Sequence, residues 1–310
     1  MRSNAVRSPQ HGVAAYRGLD TGVANGMLRL GAHESIAGGM HKAFDRARSA
    51  GCDAVQIFLK SNRSWAVKPL TEKSIARFKA RAEQTGIHPV VGHTSYLLNL
   101  ASPDDELWSR SRDMLVTELK RCEVLDVPYL VLHPGAHVGG GEKAGLARVA
   151  QALGEVHAAT PGSRTQILLE NTAGQGSSLG YRFEHLGWLL AHTPAGERLG
   201  VCLDTCHALA AGYELRTPEG YAATMEAFDG IIGLERLKAL HLNDSQGELG
   251  SHKDRHEHIG QGHIGLEGFR NVLNDPRLAG LPGLLETPKG KGKDLRQDRK
   301  NLKVLRGLVE

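Results

Sequence analysis

Seven short apolar runs of this chain end on a side chain able to bind a metal ion: His33, His93, His133, Glu170, Asp204, His241 and Glu286. Imidazole nitrogen suits borderline divalent ions such as zinc or manganese, while carboxylate oxygen compensates charge and can bridge two ions. Such ions make water a nucleophile near neutral pH and stabilise attacking and leaving oxygens in phosphoryl hydrolysis. The mixed set therefore points to metal-assisted hydrolysis. No G-x-S-x-G elbow offers a serine nucleophile in competition. A polar rim that binds a small sugar is the plainer alternative, and a single histidine at one strand end would be ordinary packing.

A second concentration is "SHKDRHEHIGQGHIG", residues 251–265, which holds four histidines and two carboxylates. It could be a metal-binding loop, a basic nucleic-acid arm or a solvated turn. The G-x-G-x-x-G within it lacks the preceding strand that a dinucleotide fingerprint requires, so its glycines are read as a turning loop.

The elements that must position these residues follow from the apolar runs. They span 27–33, 53–59, 87–93, 128–133, 165–170, 199–204, 237–242 and 282–286, with helical patterns between them. Strands alternating with helices predict a parallel sheet, and eight of them predict a closed (β/α)8 TIM barrel, whose C-terminal rim gathers every strand end at one mouth. One helix is expected over 103–125, with Ser102 as its cap, Pro103 in the first position and Asp105 and Glu106 at its positive end. One domain is expected over 27–310. Residues 1–26 are expected to be a disordered tail, with a transit peptide or an early start site as alternatives.

Composition narrows the class. At 40% apolar and 23% charged residues the chain can build a real core. Its formal charge of +4 suits a polyanionic partner without demanding one. The cysteines, Cys52, Cys122, Cys202 and Cys206, form no C-x-x-C pair, so they are read as packing residues of a cytoplasmic protein. No apolar run reaches the length of about 18 residues that a membrane span needs.

Longer signatures surround the strand ends. "ENTAGQGSSLGYRFEHL" (170–186), "CLDTCHALAAGYELRTPEG" (202–220), "HLNDSQGELGSHKDRHEHIGQGHIG" (241–265) and "LLETP" (284–288) resemble the endonuclease IV family, zinc-dependent apurinic/apyrimidinic endonucleases on a TIM barrel. The resemblance runs from about Leu28 to the last helix. It implies three zinc ions per chain, with manganese an alternative at one site. His93 and His133 would bind the first ion and Glu170 would bridge it to the second. Asp204, His241 and Glu286 would complete the second site. His207, Asp254 and His256 would hold the third.

The resemblance further implies a monomer acting on double-stranded DNA. The expected reaction hydrolyses the phosphodiester 5′ to an abasic site, with Glu170 and Glu286 positioning the attacking water, and leaves a 3′-hydroxyl and a 5′-deoxyribose phosphate. Removal of 3′-blocking groups is a further activity left open. "LKSNRSW" offers Arg63 for insertion into the opened duplex, and "TSYLLNL" offers Tyr96 and Leu97 as a wedge, with ordinary loop packing as the plainer alternative for those two. Lys289, Lys291 and Lys293 of "PKGKGK" are candidates for backbone contacts, with a simply solvated basic loop as the equal alternative. His252, His258 and His263 are read as structural or DNA-facing rather than ligating.

Glu257 and Gln261 depart from the family's usual His and Glu, and Ser61 lies where the insertion loop varies. Two rival readings stay open. One is a metal-dependent sugar isomerase or epimerase on the same barrel, and the other is a lesion-binding protein without catalysis.

Overall fold

Each of the eight apolar runs becomes one strand of a closed, all-parallel barrel in the computed structural model, which describes residues 27–290 and 295–310. The expected tail lies outside the described residues. The strands are β1 (Arg29–His33), β2 (Ala54–Phe58), β3 (Val90–His93), β4 (Tyr129–Leu132), β5 (Gln166–Glu170), β6 (Leu199–Asp204) and β7 (Leu237–His241). A short antiparallel ribbon follows, β8 (Asp244–Ser245) with β9 (His256–Glu257), before β10 (Pro282–Leu285) closes the barrel between β7 and β1. The helices are α1 (Lys42–Ala50), α2 (Glu72–Thr85), α3 (Asp105–Leu125), α4 (Glu142–Ala159) and α5 (Phe183–His192). They continue with α6 (Thr205–Ala211), α7 (Pro218–Ile231), α8 (Gly265–Leu273) and α9 (Arg296–Arg306).

Alternation along the strands explains the site. Ala54, Val91, Val131, Leu168, Cys202, Ala239 and Leu284 form one fully buried cluster that plugs the barrel. Two residues further along the same strands, hence on the same inward face, stand Gln56, His93, His133, Glu170, Asp204, His241 and Glu286. On β1 the plug residue is Gly31, and His33 stands above it. A Cβ at Gly31 would lie 2.1 Å from the carbonyl oxygen of Ala54, so only glycine lets β1 approach β2 there. An apolar floor thus carries a polar layer at the C-terminal mouth.

The start of α3 differs from expectation. Asp104 is the cap, its Oδ1 accepting from Leu107 N at 2.9 Å, while Ser102 Oγ accepts from Asp104 N at 3.1 Å just before it. Pro103 therefore lies outside the helix, which begins at Asp105 after its Asp104 cap.

Candidate metal centre

Asp204 and His207 owe their spacing to a helix start. Asp204 ends β6 and caps α6, its Oδ1 accepting from His207 N at 2.9 Å. The cap satisfies an orphan amide and leaves the other carboxylate oxygen for the centre, 3.7 Å from His241 Nδ1 and 3.8 Å from His256 Nε2. Asn243 donates to that same Oδ2 at 2.7 Å, and Asn171 Oδ1 accepts from Asp204 N at 2.6 Å. Both asparagines are fully buried, so Asp204 cannot swing.

Glu170, fully buried at the end of β5, stands between two clusters. Its Oε2 lies 2.8 Å from His133 Nε2 and 3.2 Å from His93 Nε2. Its Oε1 lies 2.9 Å from His241 Nδ1. His93 Nδ1 is 2.8 Å from the Thr94 carbonyl, which can only accept, so Nε2 is the nitrogen left with a lone pair toward Glu170.

The third cluster joins α6 to the histidine-rich loop. His207 Nε2 is 3.2 Å and His256 Nε2 3.6 Å from Asp254 Oδ1. His207 Nδ1 faces the Asn171 carbonyl at 2.9 Å, which again turns Nε2 inward. Among the described residues, the Nε2 atoms of His207 and His256 are buried without a hydrogen-bond partner. Two orphaned imidazole nitrogens aimed past one carboxylate are what a cation would satisfy.

Among the described residues, four sets of side chains bring possible ligand atoms within 4.8 Å of one another. Three are His93–His133–Glu170, Glu170–Asp204–His241–Glu286 and His207–Asp254–His256, and together they contain all nine residues expected from the sequence. The fourth adds Cys206 to Asp204 and His256. Burial pushes the Cys206 thiol up to about 12 and the Cys202 thiol up to about 11, which suits the packing role expected of both. Burial alone would raise Glu170 and Glu286, yet histidine charge outweighs it and holds both well below the ordinary carboxylate range. Burial would likewise depress His133, His207 and His241, but the facing carboxylates, together with Cys202 in the case of His241, raise all three. So dense a set of buried carboxylates and imidazoles demands positive charge, carried by protons or by divalent ions.

Gln56 of β2 was missed. It is fully buried, donates to Glu286 Oε1 at 2.6 Å, and meets His241 Nε2 with its oxygen at 2.9 Å and His33 Nδ1 with its nitrogen at 2.9 Å. His33, among the strand-end residues, stands 3.5 Å from Glu286 Oε1 but belongs to none of the four sets.

The histidine-rich loop is built around Asp244. This buried carboxylate accepts from the amides of Gly260, Gly262, Ile264 and Ser245 at 2.9, 3.0, 2.9 and 2.8 Å. A Cβ on Gly262 would stand 2.6 Å from Asp244 Oδ1. A strand, β9, does precede the G-x-G-x-x-G, contrary to expectation, but it is one half of a two-residue antiparallel ribbon. The anion cradled by the glycine loop is the chain's own carboxylate. His252 Nδ1 is bound to the Ala173 carbonyl and His258 Nδ1 meets Asn301, so both are structural; His263 is exposed.

Around the mouth, Tyr96 is 62% exposed, its ring 5.8 Å from that of His93 and 6.4 Å from that of His133. Arg63 is exposed and Leu97 half-buried. Lys289 is not a free basic contact, because its ammonium is 2.7 Å from buried Asp298. Lys291 and Lys293 lie outside the described residues.

The barrel and the polar layer at its mouth define a class, and the chain matches the model of xylose isomerase-like TIM barrels over residues 44–308. Within that class the chain belongs to the endonuclease IV family. It is 56% identical to the probable endonuclease 4 of Chloroflexus aurantiacus, over 92% of this chain and 99% of that protein. It is 44% identical to the probable endonuclease 4 of Citrifermentans bemidjiense, over 91% and 99%. The solved endonuclease IV of Thermus thermophilus superposes with a TM-score of 0.80 at 41% identity, over 90% of this chain and 98% of that one. A D-psicose 3-epimerase from Clostridium cellulolyticum reaches a TM-score of 0.66 at 17% identity, over 91% of this chain and 100% of that one, a likeness of fold alone. The chain is a nuclease by this membership. No helix among the described residues is long and apolar enough to cross a membrane.

Proposed function

We propose that this nuclease repairs DNA by hydrolysing the phosphodiester 5′ to abasic sites in duplex DNA, holding three zinc ions, with manganese an alternative at one position. The observation that carries the reading is Glu170, which faces His93 and His133 with one oxygen and His241 with the other. With its oxygens divided in this way, Glu170 would contribute to two cation sites at once. His93, His133 and Glu170 would hold the first ion, Glu170, Asp204, His241 and Glu286 the second, and His207, Asp254 and His256 the third. Bound ions supply water activation and neutralise charge on the phosphate oxygens.

The chain's own groups do the rest. Glu170 and Glu286, kept ionised, orient the attacking water and accept its proton. The new P–O bond comes from that water as the P–O3′ bond breaks, and the departing O3′ takes a proton from solvent to become the 3′-hydroxyl. Tyr96 and Leu97 fill the space left by the missing base, and Arg63 enters the duplex beside them. The protein acts as a monomer in the cytoplasm, and its residues 27–310 form one domain.

The third cluster and the exposed aromatic at the mouth favour DNA over a free sugar. A sugar isomerase needs one or two ions and no wedge. If a polymerase extends the nicked strand without prior treatment, the product carries the expected 3′-hydroxyl; a blocked end contradicts this cleavage chemistry.

A further inference from the structure

The loops after β2 and β3, which carry Arg63 and Tyr96, are joined beneath the surface. Lys60 opens the first loop with only 5% exposure, although a lysine is rarely so covered. Its ammonium donates to the carbonyls of Ser61 and Ser64, at 3.0 and 2.7 Å, on either side of Arg63. The same ammonium stands 3.9 Å from Glu118 Oε1, a fully buried carboxylate on α3. The carbonyl of Asn62, which lies between those two along the chain, accepts from Ser95 Oγ in the second loop at 3.0 Å. Ser95 Oγ also accepts from Leu97 N at 3.3 Å, and Ser95 N points at Glu118 Oε1 from 3.5 Å. On α3, Arg121 donates to the carbonyls of Leu59 and Lys68, at 2.9 and 3.0 Å, near the two ends of the first loop.

A buried ion pair adds little net stability, because desolvation offsets its attraction. Its contribution here is geometry. Surface loops are mobile by default, and ordering them on binding weakens affinity. In this pair of loops the carbonyls of residues 61, 62 and 64 are captured from below, while the side chain of Arg63 stays exposed.

We propose that the Lys60–Glu118 pair and the Ser95 hydroxyl lock the Arg63 loop and the Tyr96–Leu97 loop into one pre-set lesion-reading unit, anchored on α3. The proposal rests on the DNA-reading role given above to those loops. Lys60, Glu118 and Ser95 are positioning residues, since none needs to touch DNA.

Hydrogen exchange on the metal-loaded protein tests the lock without DNA. Ser95→Ala sits in the second loop, yet it is expected to speed exchange in residues 61–66 by about tenfold, the loss of one ordinary hydrogen bond, with metal content unchanged. Lys60→Met alone would strand a buried carboxylate. Lys60→Met/Glu118→Leu, which removes both charges, therefore serves as the second variant and is expected to speed the same exchange. Faster exchange confined to residues 94–101 overturns the coupling. On abasic duplex the account expects KM to rise about tenfold and kcat to hold within about twofold. Coupled exchange with an unchanged KM overturns the role in lesion reading. A parent protein that never nicks abasic DNA sinks the proposed function instead, and leaves the exchange result standing.

Discussion

The side-chain oxygen of Gln56 lies 2.9 Å from His241 Nε2, and this contact decides which face of the imidazole meets the carboxylates. An amide oxygen only accepts, so Nε2 carries the proton and Nδ1 turns to Glu170 and Glu286, at 2.9 and 3.3 Å. Gln56→Leu is therefore expected to weaken metal binding at the His241 group by about 10- to 100-fold. Titration against a chelator of known affinity measures this. Equal weakening at every group would show general loosening instead of a role for that contact.

Glu170→Gln keeps the shape but loses the charge that faces four histidines, His93, His133, His207 and His241. Cleavage should fall by more than about 100-fold, while affinity for abasic duplex changes by less than about threefold. Equal losses of both would mean that Glu170 is structural. Single-turnover cleavage beside equilibrium binding gives the two numbers.

Metal removal should leave a signature in pH. His133, His207 and His241 are raised above 6.5 in the metal-free molecule, burial being outweighed by the groups facing them. A raised histidine contributes stability that is complete below its unfolded value and is lost as pH climbs through its folded value. Buried His33, His157 and His185 are lowered and act below 6.5, and Glu170 and Glu286 act below 4.5, so neither set enters the alkaline window. Thermal melts in chelator should therefore fall as pH rises above 6.5, whereas metal replaces those protons and flattens the curve. Parallel curves with and without chelator would contradict a metal at these residues.

Asp244 should matter more than its distance from the chemistry suggests. Asp244→Ala strips four amides of their acceptor and is expected to cost about 2–4 kcal/mol of stability. Denaturant unfolding reads the loss. Hydrogen exchange should localise it to residues 258–264, and a variant of unchanged stability would rule out the anchor.

The barrel was legible because parallel strands buried on both faces read as apolar runs, seven of the eight closed by a polar residue where the sheet meets the mouth. Gln56 escaped that reading because its run continues through Ile57, Phe58 and Leu59. Only the period of two, counted from Ala54, puts it in the polar layer. Asp104 and Ser102 are both good caps two residues apart, and the sequence does not say which oxygen reaches the free amide. The nest around Asp244 joins residues 16 to 20 positions apart, and no local pattern announces such a contact. Lys289 read as a DNA-contacting or solvated base until the fold brought Asp298 against it.

The most direct test of the central claim is a duplex oligonucleotide with one abasic site, incubated with the purified protein with and without chelator. The account predicts a single nick immediately 5′ to the lesion, abolished by chelator and restored by added zinc. An intact strand, despite a bound complex and a full complement of metal, would contradict it.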